Sequence, residues 1–559
     1  MGYALLWIEN LAVSLLLVAT VFSCVGRFRR RWLRDALWMP VPVVLLLWYA
    51  GLVYVATVFV FFTRNMLPVS WFVAVVALAV SFIVGAVWLQ RRGLRRFDEQ
   101  TGLTAAASWP RGKLAIALGV AVALHLMTYW NMDLAARQQA ENLRGEAGAL
   151  ALSTAPPRIA DSDNAAILYE QAEEGVLALV MDPQHHTIQT LGDPSQPGFD
   201  PKNPELRRLL QKNTAVLALL RQAASKPNCY FDRDYSWPTM TTDLSHVQHL
   251  REGVVLLDLN ARAQTADGNT RAAIEDINAM FAASEHARAD QFLICLLVSF
   301  NIEQRATAAL QNLFLHNKLS DEDLAALRIP ADTSRRRLIE RACRSEEAGR
   351  LTTFCEIGSG ELTFASVLAC NGIPTSKPPL DGPFASAVLG SLYRVFLFGD
   401  DLADHRRLSL RIRELAAMPY YKAKAPWDHF EAQLCREPAG LLNRLLLPAL
   451  QPCFVGIARA GALHEALRLG VAAEKYRLRH GRFPARLEDL APEFIPVVPL
   501  DPFDGKPMRM KRTDHSLIVY SIGPNEIDDG GTPIPPIPPS GQAYPPPGDI
   551  TFEVPDRKP

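Results

Sequence analysis

The sequence predicts a mainly α-helical membrane protein that ends in a small α+β unit. Three observations carry this. Four apolar segments occupy the first 130 residues, helical periodicity dominates the middle of the chain, and after His480 the chain turns abruptly to proline-punctuated, strand-like sequence.

The apolar segments, about Leu5–Val25, Leu37–Phe62, Leu67–Leu89 and Leu114–Trp130, each approach the ~20 residues a bilayer-spanning helix needs. Arg27, Arg29, Arg30, Arg31 and Arg34 follow the first, and Arg91, Arg92, Arg95, Arg96, Arg111 and Lys113 separate the third from the fourth. The N-terminus has no Lys or Arg, and the turn between the second and third segments has only Arg64. Basic excess marks cytoplasmic loops. The expectation is therefore a four-helix transmembrane anchor over 1–134 in the inner membrane of a bacterial envelope, with the N-terminus and everything beyond Trp130 extracytoplasmic. A cleaved signal peptide would want positive residues at its start, and "MGYALLWIEN" has none. Glu9 reads as an interfacial carboxylate, and His125, with no intramembrane acid beside it, as a packed neutral side chain.

Net charge is zero but uneven: residues 1–113 hold 12 Lys+Arg against 4 Asp+Glu, leaving 46 against 54 of the 58 of each kind. The large C-terminal part thus has no basic excess with which to neutralise phosphates, which argues against nucleic acid as a partner. The eight cysteines form no CxxC pair, and several sit in apolar runs such as "FLICLLVSF", so buried thiols are expected, with a disulfide or two an alternative.

Residues 149–445 are expected to form an extracytoplasmic α-helical domain, entered by a linker over 149–160. Val247, Leu250, Val254, Leu257 and Ala261 share one helical face, and Ala273, Ile277 and Phe281 continue the pattern after "ADGNT". That spacing predicts an antiparallel hairpin capped at Asn269 or Thr270. It resembles one tetratricopeptide-like unit, but without the period of an array it reads as generic helical packing. Phe292–Ile302 is expected to be a buried core helix, and Ser320 to cap a short helix after it. The polar, proline-bearing stretches 183–204 and 226–243 read as surface loops. Further helices are expected over Arg394–Ala423 and Leu441–His480, the last ended by Gly481.

The final unit, 446–559, combines that long helix with an alternating apolar and basic "MRMKR" and a strand-like "HSLIVYSIG". Tyr476, His480-Gly481-Arg482-Phe483-Pro484, Asp501-Pro502-Phe503, Tyr520-Ser521-Ile522-Gly523, Gly530-Gly531 and Asp549-Ile550 together resemble the soluble domain of type II secretion major pseudopilins. The resemblance covers about a hundred residues, less than a fifth of the chain. It implies a calcium-binding loop, with Asn525 in the place of a family Asp, Asp549 in the closing Asp-Ile, and Asp528 and Asp529 as further carboxylates. Ca²⁺ suits such mixed carboxylate and carbonyl oxygens, and it would offset the repulsion among the acids. The alternative for "DDGG" is a solvated turn, and for the proline tract a polyproline II strip for partners. Pseudopilins polymerise through a processed N-terminal helix, whereas this unit hangs from a large anchored domain, so the resemblance implies fold and ion site but not a pilus subunit.

Catalytic signatures are sparse. His246, His249 and Glu252 could share a helix face, yet a third ligand of known position and the HExxH order are missing, so a polar face is the plainer reading. "GSGE" at Gly358–Glu361 matches neither a nucleophile elbow nor a phosphate loop and reads as a helix break. The sequence therefore points to a non-catalytic scaffold that meets the lipid bilayer and envelope or secretion proteins. The alternative is a membrane-anchored hydrolase assembled from distant helices.

Overall fold

The computed structural model describes residues 111–181, 199–239, 242–331, 335–363, 366–367, 383–436, 440–447, 450–535 and 547–556. The first three apolar segments lie outside the described residues; the fourth lies within α1 (Arg111–Thr154). The rest is mainly helical, with one small sheet. In order come α2 (Ala166–Met181), α3 (Pro204–Lys212), α4 (Thr214–Ala224), α5 (Ser245–Ala266), α6 (Thr270–Ala287), α7 (Leu293–His316), α8 (Asp321–Ala326) and α9 (Arg335–Ser359). There follow α10 (Pro383–Phe396), α11 (Phe398–Ala416), α12 (Tyr420–Arg436), α13 (Leu441–Leu446) and α14 (Leu450–His480), then β1 (Arg509–Arg512), β2 (Ser516–Ser521) and β3 (Ile550–Pro555).

The chain divides into two compact units. Among the described residues, the first holds those within 111–145, 353–407 and 434–447. In it Asp133 accepts from Arg137 Nε at 2.8 Å, Arg394 Nε at 2.7 Å and Ser391 Oγ at 3.0 Å. Buried Asp401 accepts from Tyr393 Oη at 3.0 Å and the Leu442 amide at 2.9 Å, and burial pushes its carboxyl up to about 6. α9 stops at Gly360, whose φ of +92° is costly for any residue with a Cβ.

The second unit holds residues 146–352, 408–433 and 448–559, so the C-terminal strands share one compact body with the central helices. The expected hairpin is present as α5 and α6. All eight residues of its predicted apolar stripe are buried, and Gly268 turns the chain at φ +77°. α7 runs longer than Phe292–Ile302. It is the one helix among the described residues long and apolar enough to cross a membrane, but 61% of its most apolar window is buried inside the protein. Its centre carries Glu303, which accepts from Arg288 at 2.6 Å and pairs with His464 Nδ1 at 2.6 Å; so polar a core belongs inside a protein body rather than against lipid. Ser320 and Asp323 form a reciprocal capping box at α8.

Three expectations change. The linker over 149–160 begins later, because α1 continues to Thr154 with Ala147 and Ala151 fully buried. Residues 226–239 form a loop, with Asn228, Asp232 and Asp234 exposed, but one anchored in the core: Cys229, Phe231 and Tyr235 are buried, and Asn164 accepts from the Tyr230 amide at 2.8 Å while donating to its carbonyl at 2.8 Å. The late helices are broken where sequence periodicity ran through. α11 ends before Pro419, and Leu447, which precedes Pro448, is pushed to ψ 109°, outside the helical region. Pro426, by contrast, is accommodated inside α12.

The sheet is antiparallel in the order β1-β2-β3, with Val519 opposite both Met510 and Phe552. Leu517, Val519, Phe552 and Val554 alternate onto the buried face. That face meets the small side of α14, where Ala466, Gly470 and Ala473 let the backbone come close. A Cβ on Gly470 would lie 2.3 Å from Phe552 Cδ1. Gly470→Ala is therefore expected to destabilise the protein by about 1–3 kcal/mol, overriding the ~1 kcal/mol gain in helix propensity. Denaturant unfolding checks this, and Gly470→Ala combined with Phe552→Leu is expected to recover part of the loss.

Candidate functional site

The acidic loop starts at the end of β2. Gly523 (φ +71°) and Glu526 (φ +58°) reverse the chain, and Gly530 and Gly531 (φ +66° and +76°) turn it again. These successive left-handed residues aim backbone amides inward, a geometry that collects anionic oxygens. Asp549, only 1% exposed, receives them: its Oδ2 accepts from the Gly531 amide at 2.6 Å and its Oδ1 from the Asp529 amide at 3.3 Å. The backbone closes at the same point, with the Asp549 amide donating to Thr532 O and the Ile534 amide to Asp549 O at 3.1 Å.

Asn525 and Asp529 complete that crossing. Asp529 Oδ2 accepts from Asn525 Nδ2 at 2.8 Å and from the Gly548 amide at 2.8 Å. Asp528 goes elsewhere. Its Oδ1 accepts from Tyr520 Oη at 3.2 Å and the Gly530 amide at 3.0 Å, and its Oδ2 sits 3.2 Å from Arg509 Nε. The loop thus brings Asn525, Asp529 and Asp549 together and turns Asp528 toward the sheet. Burial raises the Asp549 carboxyl above its ordinary range, and the charges of Asp529 and Asp528 push the same way, while the Gly531 and Asp529 amides oppose them. The loop closes a ring of hydrogen bonds but retains carboxylate repulsion, the condition a hard cation relieves.

Arg509 is the hub beneath this loop. Its guanidinium lies 3.3 Å from Asp501, 2.6 Å from Asp504 and 3.2 Å from Asp528. Asp501 is fully buried and accepts from the Phe503 amide, Ser521 Oγ and the Ile522 amide at 2.8–2.9 Å, which ties the Asp-Pro-Phe turn to the end of β2. Sequence marks Asp501 as part of a motif; its partners other than Phe503, eight to twenty-one positions away, appear only in the fold.

The three residues weighed as a helical metal face do not converge. His249 Nδ1 pairs with Glu173 at 2.9 Å, and Glu252 accepts from Gln248 at 2.7 Å. His246 faces Asp290 instead, with Nε2 3.3 Å from Oδ2. Burial lowers the His246 pKa, and the Asp290 carboxylate opposes that shift. Among the described residues, His246, Asp290 and Cys295 are the one trio whose ligand atoms lie within 4.8 Å of one another. Residue spacing gave no hint of it, because Asp290 and Cys295 belong to the α6–α7 junction. The six described cysteines are all free thiols, four of them buried.

A groove of about 500 Å³ runs beside β3. Phe300, Asn301, Gln304 and Gln311 of α7 line one side, Leu463 of α14 another, and Ile534 and Thr551 a third. β3 is an edge strand, and Gln311 shows which way that edge points: its amide donates to Glu553 O and accepts from the Glu553 amide, each at 2.8 Å. By the two-residue repeat, the amide and carbonyl of Thr551 face the same side.

No protein-family model, curated protein or solved structure matches the chain.

Proposed function

We propose that this chain is a scaffold of the bacterial cell envelope, anchored in the inner membrane by four helices and exposing the region beyond Trp130 outside the cytoplasm. It holds envelope or secretion proteins rather than turning over a substrate, and its C-terminal pseudopilin-like α+β unit is steadied by calcium. The observation that carries this reading is the groove beside β3. It combines an open strand edge at Thr551, carboxamides at Asn301 and Gln304 that both donate and accept, and apolar walls at Phe300, Leu463 and Ile534. An extended segment of another protein finds there the backbone pairing and side-chain pockets of strand addition. Membrane anchorage rests on the four apolar segments and their arginine-rich loops. It is also supported by Met127, Trp130 and Leu134, which are exposed on α1 where the fourth segment ends. The hydrolase alternative loses support because His246 and His249 have separate acidic partners.

A photo-crosslinking side chain at Gln304, introduced in growing cells, is expected to give a discrete adduct with an exported protein. The same probe at exposed Arg482, outside the groove, is expected to give none. Absence of an adduct at Gln304, or adducts with cytoplasmic proteins, would sink the scaffold reading.

For calcium, Asp529 and Asp549 are the carboxylates placed to bind, with Asn525 beside them; Asp528 must release Arg509 to join. The ion would crosslink the end of β2 to the start of β3. Added Ca²⁺ at about 100 times Kd is expected to stabilise the full chain by roughly 2.7 kcal/mol, seen as a rise in melting temperature that Asp529→Asn with Asp549→Asn abolishes. An unchanged melt of the natural protein across millimolar Ca²⁺ would rule the ion out.

A further inference from the structure

We propose that His246, Asp290 and Cys295 form a site for a zinc-type divalent cation that pins the start of α5 to the α6–α7 junction. The three elements meet inside the second unit. His246 is the second residue of α5, Asp290 lies in the turn after α6, and Cys295 is in the first turn of α7. Nitrogen, oxygen and sulfur donors in one set suit Zn²⁺ and its neighbours better than calcium or magnesium, which prefer oxygen alone.

The spacing fits. Tetrahedral bonds of about 2.0–2.2 Å from zinc place a nitrogen and an oxygen ligand ~3.3 Å apart, and His246 Nε2 lies 3.3 Å from Asp290 Oδ2. Cys295 is fully buried, and its Sγ lies within 4.8 Å of both. A second observation points the same way. Asp290 is 5% exposed, and its Oδ2 accepts no hydrogen bond, although Oδ1 takes the Gln291 amide at 2.7 Å. Its nearest nitrogens, His246 Nε2 at 3.3 Å and Arg233 Nη1 at 3.8 Å, face it without hydrogen-bond geometry; a buried carboxylate oxygen left without a hydrogen bond is costly, and a cation between it and the imidazole offsets that cost.

Charge balances as well. Binding releases the Cys295 thiol proton to solvent, so that thiolate and Asp290 carboxylate together cancel the two charges of the ion. The cations facing the trio are Arg233, 3.8 Å from Asp290 Oδ2 and 2.8 Å and 3.2 Å from His246 Nδ1 and Nε2, and Arg341, which donates to the Asp290 carbonyl at 3.0 Å. With the ion on Nε2 the imidazole proton moves to Nδ1. Arg233 then gives up both imidazole contacts and keeps its hydrogen bond to Asp243 O at 2.8 Å.

The test is titration of Co²⁺, then Zn²⁺, into chelator-stripped full-length protein in detergent. The expected result is one equivalent of cobalt with thiolate-to-cobalt charge-transfer absorption, displaced by one equivalent of zinc. Cys295→Ser loses that absorption, His246→Gln weakens binding at least about tenfold, and Cys435→Ser, at an exposed thiol, changes neither. Absence of a saturable band in the natural protein overturns the site, as does a band that survives both ligand substitutions. Should Cys295→Ser fail to fold, His246→Gln at its partly exposed helix start decides the matter by the same comparison.

Discussion

The close approach of Gly470 to Phe552 sets the spacing on which the second unit depends. α14 has two jobs that conflict in size: it must lie against a sheet on one side and against α7 on the other. Small residues solve the first, since Ala466, Gly470 and Ala473 let the strands settle onto the helix backbone, and Phe552 fills the gap and meets Phe314 of α7 edge-on at 5.4 Å. The second is met by a buried polar contact, His464 to Glu303. Such a contact contributes little net stability, yet a shifted register of α7 on α14 would bury His464 away from the Glu303 carboxylate that partners it, so the contact discriminates against that register.

From that packing the acidic loop follows. With the sheet fixed on α14, the end of β2 and the start of β3 lie side by side, and the chain between them has to close. Glycines at 523, 530 and 531 make the turns, and buried Asp549 gathers the amides they expose. Arg509 braces the other side by facing three carboxylates at once. A loop that reads as an odd, acidic ending to a hydrophobic chain is thus a clasp, one whose remaining negative charge a cation can offset.

Local chemistry was legible in the sequence where it was self-contained. The α5–α6 stripe, the turns at Gly268 and Gly481, the Ser320 cap and the strand-like run of β2 depend on neighbours within a few residues, and each appears in the fold. Of the loop residues, Asn525, Asp529 and Asp549 do meet, because glycine and closing aspartate mark a return of the chain. Asp528 could not be separated from its neighbour without knowing where Arg509 lies. Buried Cys229, Phe231 and Tyr235 were hidden by the polar residues between them, and the Asp290–His246 contact by the helix that separates the two in sequence. The breaks at Pro419 and Pro448 had a local signal, outweighed by an apolar period that continues through both prolines.

Hydrogen exchange across a denaturant series tests most directly whether α14 welds the C-terminal strands to the helical core. The expected result is that amides of Leu517–Ser521 in β2 and of the α7 centre around Glu303 exchange through one opening, with the same free energy and denaturant dependence. Exchange of β2 and β3 through a separate, lower-energy opening, while α5, α6 and α7 stay protected, would contradict it.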